Sequence, residues 1–234
     1  MFCGFFFVKH LHSATVMKLL LRLLFTIILL VSGLSLFAWF YWYKPKLNHK
    51  VNRNNTSANI TVDATEKIIL SKKANLIRQY VTGKGYNQQV CFLVNMGIES
   101  GKNRFFVYRL DKDSIINSGL VTHGNCNSNW LAGKKFGNNI GCGCTALGKY
   151  KVGDSYSGKF GLAFKLYGLD STNSNALKRF VVLHSHSCVP ESEVSPLPIC
   201  QSLGCPTVSL NYLKYLQNII DKSDRPILLW IFDE

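Results

Sequence analysis

The sequence predicts a mainly β domain with a helix at either end, preceded by one N-terminal transmembrane helix. Three observations predict it. Leu23–Tyr43 is a run of 21 residues without a charge, bracketed by Arg22 and Lys44. From Val90 to Phe232, short apolar or alternating stretches recur between loops dense in Gly, Asn and Ser, the pattern of strands and turns. Helical spacing of apolar residues occurs twice outside the span, over Ile68–Tyr80 and Leu210–Ile220.

The uncharged run makes a helix of roughly 31 Å at 1.5 Å per residue, about one hydrocarbon core. Trp39, Phe40, Tyr41, Trp42 and Tyr43 crowd its far end, where amphipathic rings favour the membrane–water interface. A cleaved signal peptide is the competing reading, but it would have a shorter apolar stretch closed by a small-x-small site. Five bulky aromatics stand there instead, so the run reads as an uncleaved anchor. Met17 opens a Met-Lys-Leu-Leu-Leu-Arg stretch that has the look of a bacterial export start, and the residues ahead of it read as an extension. Lysines and arginines flank both ends of the span, so charge alone does not orient it. The expected organisation is a cytoplasmic segment 1–22, an anchor 23–43, a linker 44–62 rich in Asn, Lys, Thr and Ser, and a folded domain 63–234.

The formal charge of +14 divides unevenly. Residues 1–62 hold seven Lys/Arg and no acid, and the remainder carries 20 Lys/Arg against 13 Asp/Glu. A modest positive excess suits an anionic membrane face or wall polymer, or is an ordinary solvated surface. No nucleic-acid-binding motif accompanies it, and no nucleic-acid partner is expected. Eight cysteines fit an oxidising compartment. With Cys3 ahead of the span and Cys205 set aside, six remain, enough for three disulfides whose pairing the sequence does not choose.

Within the domain, Asp63 followed three residues later by Glu66 predicts a capping box opening the first helix, which Gly83 stops. Strands are predicted at Val90–Asn95, Phe105–Leu110, Ile115–Thr122, Gly148–Val152, Gly161–Tyr167 and Phe180–His184. A helix over Ser209–Asp221 and an apolar strand over Pro226–Phe232 follow.

Two segments carry chemistry. Arg179-Phe-Val-Val-Leu-His184-Ser185-His186 is an apolar strand delivering histidine at its end. Ser202-Leu-Gly204-Cys205-Pro206 places a cysteine 21 residues further on, with a small neighbour that lets substrate approach and a proline that fixes the exit. A cysteine becomes a nucleophile when a base reaches it and favours the thiolate. His186 shares the strand face of His184 and is an alternative base or supporting partner. His123 ends the third predicted strand, where it lines a cleft or serves as a hydrogen-bonded structural group. Cys142, Cys144, His184, His186 and Cys188 also allow a Cys/His metal site, although Cys-x-Cys is not the usual zinc spacing.

Several separate motifs between about Val90 and Phe232 carry a family resemblance. They are Gly119-Leu-Val-Thr-His-Gly124, Thr145-Ala-Leu-Gly-Lys-Tyr150, Phe160 to Asp170, Val181-Val-Leu-His-Ser185 and Cys200-Gln-Ser-Leu-Gly-Cys-Pro-Thr-Val-Ser209. The stretch resembles the L,D-transpeptidase catalytic (YkuD-like) domain, in its divergent murein L,D-transpeptidase branch. That resemblance implies a β-sandwich/barrel with flanking helices, and a cysteine acyltransferase working on peptidoglycan stem peptides without a cofactor. It implies Cys205 as nucleophile, His184 as base, Ser185 orienting the imidazole through its carbonyl, and the Gly204 and Cys205 amides as oxyanion donors. It also implies an inner-membrane, single-pass protein with its domain in the periplasm or another extracytoplasmic space.

Two departures stand out. Leu203 occupies the position where the family pattern has histidine, and the arginine usually placed shortly after the cysteine is missing; the first is Arg225. Substrate-binding candidates are therefore Ser202, His186, His123 and Arg179, with Lys165 as a further cation. The alternative to an enzyme is a wall-binding scaffold that keeps the fold without turnover.

Overall fold

The computed structural model describes residues 7–43, 62–128 and 133–234. Residues 44–61 of the predicted linker, Cys3 and the rest of residues 1–6 lie outside them. The chain divides into two compact units, residues 1–54 and 55–234.

The first unit is a helix, α1 (Phe7–Ala38), continued by a π-helical turn over Trp39–Tyr43. Val16–Tyr41 is long and apolar enough to cross a membrane. The helix starts well before the predicted Leu23, because the chain ahead of it holds no Gly or Pro between Phe5 and Arg22 to stop it. Its hydroxyls are satisfied within it: Thr26 donates to the Leu23 carbonyl at 2.8 Å and Ser35 to that of Val31 at 2.8 Å. Such back-bonding satisfies these hydroxyls without water.

The second unit is one eight-stranded mixed sheet with a helix on each face. In chain order its elements are α2 (Ala64–Val81), β1 (Val90–Asn95), β2 (Phe105–Arg109), β3 (Ser114–Gly119), β4 (Gly148–Gly158), β5 (Gly161–Gly168), β6 (Val182–Ser185), β7 (Thr207–Val208), α3 (Leu210–Asp221) and β8 (Leu228–Phe232). Across the sheet the order is β3-β2-β1-β8-β4-β5-β6-β7. β8 pairs parallel with β1 and antiparallel with β4, and so joins two halves that do not otherwise pair.

β1 shows why this arrangement fits the sequence. Alternate residues point to opposite faces. Cys91 and Leu93 pack with α2 residues Leu70, Ala74 and Ile77, whereas Phe92 and Val94 pack with α3 residues Leu213 and Leu216. A strand buried on both faces reads as an unbroken apolar run, which Val90–Val94 is.

Asp63 caps α2, but its carboxylate accepts from Ala64 N–H at 2.8 Å. The predicted capping box does not form, because Glu66 turns to the Asn95 amide at 3.0 Å. β3 ends at Gly119 rather than Thr122, and β4 runs six residues beyond the predicted Val152. That polar extension, Gly153–Gly158, lacks an apolar face and pairs with β5 past an irregularity in register between Val152 and Ser155. β6 starts at Val182, after Phe180 takes a left-handed backbone (φ 54°) out of the preceding turns.

Candidate active site

β6 and β7 lie parallel at one edge of the sheet, with His184 opposite Thr207 and Ser185 opposite Val208. Cys205 stands two residues before Thr207. The register therefore brings the end of the Arg179–His186 segment alongside the Ser202–Pro206 loop.

Cys205 is a free, half-buried thiol. Burial raises its pKa, against the opposing pull of a Val182 backbone hydrogen bond and the Arg179 cation. The protonated thiol donates to the Phe180 carbonyl at 3.7 Å. Its own backbone carbonyl is held by hydroxyls, from Ser202 at 2.7 Å and from Thr122 and Thr207 at 3.3 Å each.

His184 is buried, and its Nδ1 lies 3.1 Å from the Ser185 carbonyl oxygen. A carbonyl only accepts, so Nδ1 carries a proton and neutral His184 has its lone pair on Nε2. Nε2 faces the Thr207 hydroxyl at 3.1 Å. Burial lowers the His184 pKa, the Ser185 contact opposes this, and neighbouring His186 adds to it. Phe160, at the tip of the β4–β5 hairpin, stacks on the His184 ring at 5.1 Å and meets His186 edge-on at 5.7 Å. Among the described residues, no hydrogen bond joins either ring of the His-Ser-His segment to the Cys205 thiol. Hydrogen bonds of catalytic pairs are often formed only once substrate is bound.

The loop geometry depends on Gly204. Its φ is 110°, and a β-carbon there would lie 2.5 Å from the Cys144 carbonyl oxygen. Its N–H is donated to Ser202 Oγ at 3.1 Å. That differs from the expected oxyanion role for the Gly204 amide, because Ser202 bonds both Gly204 and Cys205 in order to close the loop. Ser202 thus shapes the loop from within, holding it by hydrogen bonds as a serine at that position of the motif was expected to do.

Arg179 departs from expectation too. It is half-buried, donating Nη1 to the Gly137 carbonyl at 2.9 Å and Nη2 to the Cys144 carbonyl. With both terminal nitrogens committed, it ties the 137–144 loop to the site in place of clamping a substrate carboxylate. Lys165 is exposed on β5. His186 Nδ1 accepts the Cys188 N–H at 3.1 Å.

His123 bonds elsewhere. Arg104, with no exposed surface, donates to the carbonyls of Val121 and Ile98 and to His123 Nδ1 at 3.0 Å. With Nδ1 accepting, neutral His123 carries its proton on Nε2, which lies 3.1 Å from the Gln201 side-chain amide. Burial, then the Arg104 and Lys134 cations, push the His123 pKa down to about 4. His123 and Gln201 line a cavity of about 460 Å³ together with Lys134, Leu197 and Ile199.

Two disulfides form, Cys126–Cys144 and Cys188–Cys200. Three were possible on the cysteine count, but Cys91 is buried in the core under α2 and Cys142 stays free. The five-residue Cys/His metal set fails for the same reason: Cys144 and Cys188 are half-cystines. Among the described residues, no three His, Cys, Asp or Glu are grouped to hold a metal ion. The sequence reading missed Thr207, Thr122 and Phe160; a hydroxyl two residues after Cys205 was the available signal for the first.

The family described as the L,D-transpeptidase catalytic domain matches residues 62–231. No curated protein matches. Solved structures with similarity include the Ldtfm-avibactam carbamoyl enzyme, 12% identical, covering 63% of this chain and 50% of that one with a TM-score of 0.39. Another is the helical cell shape determining protein Pgp2 (K307A mutant) of Campylobacter jejuni, 12% identical over 70% and 55%, TM-score 0.37. A third is a fused Zn-dependent amidase/peptidase/peptidoglycan-binding domain-containing protein of Clostridium acetobutylicum, 15% identical over 75% and 66%, TM-score 0.36. The match thus spans half to two thirds of each of those chains, and similarities this weak leave the assignment to the domain match. With that match running from the start of α2 to within β8, the chain belongs to the L,D-transpeptidase catalytic domain family.

Proposed function

We propose that this protein is a cysteine acyltransferase of peptidoglycan, an L,D-transpeptidase that works through a Cys205 thioester. The observation that carries the reading is a free thiol, Cys205, on a loop shaped by Gly204 and Ser202, one strand away from a buried imidazole with a defined tautomer. In the reaction, the Cys205 sulfur attacks the carbonyl between the third residue of a stem tetrapeptide and its terminal D-Ala. His184 takes the thiol proton on Nε2 and returns one to the leaving D-Ala amine. An amine of a neighbouring stem then accepts the acyl group, giving a 3–3 cross-link and regenerating the thiol. Water as acceptor makes the same site an L,D-carboxypeptidase.

The Cys205 N–H is the oxyanion donor in this scheme, since Gly204 N–H serves the loop. The apolar helix over Val16–Tyr41 anchors the chain in the cytoplasmic membrane, and the two disulfides suit a domain on its outer side. The test is mass spectrometry of the full chain in detergent with a disaccharide-tetrapeptide donor. An acyl adduct on Cys205 with release of D-Ala is expected, and Cys205→Ala should lose it. Turnover retained in Cys205→Ala rules the mechanism out.

A further inference from the structure

We infer that Thr207 is a positioning residue for this reaction, its hydroxyl turning between the His184 imidazole and the Cys205 carbonyl as His184 gains and loses a proton. The inference rests on the reading of Cys205 and His184 as nucleophile and base. Thr207 is buried, and its Oγ1 lies 3.1 Å from His184 Nε2 and 3.3 Å from the Cys205 carbonyl oxygen. A hydroxyl has one proton to give and two lone pairs. While His184 is neutral, Nε2 needs a donor, and the Thr207 proton points there. When Nε2 is protonated it becomes a donor, and Oγ1 must accept, so the Thr207 proton swings to the Cys205 carbonyl. No covalent bond changes at Thr207.

The second arrangement is open to it because the Cys205 carbonyl is never left short of donors. Ser202 holds one side at 2.7 Å, and Thr122 stands at 3.3 Å to fill the other when Thr207 turns away. Thr122 in turn accepts the Thr207 N–H at 3.2 Å, which fixes the position of the turning hydroxyl. The imidazolium then has Nδ1–H on the Ser185 carbonyl and Nε2–H shared between Thr207 Oγ1 and the Cys205 sulfur that gave up the proton. Hydrogen bonds to a charged group are about twice as strong as those between neutral ones, so Thr207 favours the imidazolium–thiolate pair over the neutral one. The other ionisable groups interacting with this pair are His186 at His184, and Arg179 and Tyr150 at Cys205, with Lys159 over the Phe160 ring beyond. None of them bonds Nε2. Thr207 holds the position two residues after the cysteine, in the stretch where many family members place arginine.

The test is the rate of Cys205 alkylation by iodoacetamide between pH 5 and 10, in the full chain in detergent, read on the Cys205 peptide by mass spectrometry. Thr207→Val should lower the rate near pH 7 roughly three- to tenfold and move the rise in reactivity upward by about half to one pH unit. Thr207→Ser should follow the unaltered chain, and Thr207→Ala repeats the loss should the valine variant not fold. A merely structural threonine would instead lower the melting temperature and leave the pH profile in place, which overturns the inference. His184→Ala separates the two readings. If it moves the profile while Thr207→Val and Thr207→Ala do not, His184 remains the base and Thr207 has no role. If it leaves the profile unchanged, the base assignment itself is wrong.

Discussion

Gly204 and Cys144 touch backbone to backbone: a β-carbon on Gly204 would stand 2.5 Å from the Cys144 carbonyl oxygen and 2.9 Å from the Arg179 guanidinium. Neither the oxygen, fixed by Arg179, nor the loop beneath it can yield cheaply. Gly204→Ala also meets a φ of 110°, and left-handed strain in a non-glycine residue costs on the order of 1–3 kcal/mol. The expected outcome is a fall of at least tenfold in Cys205 alkylation, with a lower urea midpoint. Wild-type reactivity in that variant would show that the loop is not held as described.

Arg179 supplies positive charge to Cys205 and ties down two carbonyls. Arg179→Met should raise the Cys205 pKa and slow alkylation at pH 7 by roughly three- to tenfold, about half to one pH unit. Arg179→Lys should recover part of the charge effect but not the loop, because an ammonium lacks the fork that reaches two acceptors. Equal alkylation rates in all three proteins would remove the electrostatic role.

His123 gives a pH dependence of stability with a definite sign. Its pKa is about 4 in the fold against an ordinary 6.5. Between those values the unfolded chain binds the proton and the folded chain does not, so stability rises with pH. The contribution is complete above pH 6.5 and is lost on acidification toward pH 4, on the order of 3 kcal/mol. His184, shifted in the same direction, adds to the trend. Urea unfolding from pH 7 to 4.5 should show falling midpoints, and His123→Gln should flatten the fall. An undiminished slope in that variant would assign the effect to other groups.

Among residues 62–234, alkylation of the unreduced, denatured chain should label Cys91, Cys142 and Cys205. Reduction should add Cys126, Cys144, Cys188 and Cys200. Each disulfide closes a short loop, 18 and 12 residues apart in sequence, of a size worth about 3 kcal/mol in chain entropy. A third disulfide drawing in Cys91 would contradict its place under α2.

Local patterns made most strands and both domain helices legible. Val90–Asn95 and the α3 apolar stripe are read directly from burial periodicity, and Ser209 caps α3 by accepting the Tyr212 N–H at 3.3 Å. What escaped notice depends on partners distant in sequence. Glu66 is a capping residue by spacing, but Asn95 lies closer in space. The two-residue β7 has no periodicity to display, yet it brings Thr207 opposite His184. Cys205 and His184 were singled out by motif and order, and the β6–β7 register brings their segments side by side. The committed hydrogen bonds of Arg179 and His123 were not legible, since their partners come from other segments, and that of Gly204 depends on a backbone turn that no residue type announces.

The place of β8 bears on the order in which the sheet assembles. Residues 228–232 insert between β1 and β4, and among the described residues no other strand pairs with both. Until that segment is in place, the two half-sheets meet only where residues 122–125 bond to residues 202–207. The central seam of the sheet is therefore completed last, when the C-terminal strand arrives.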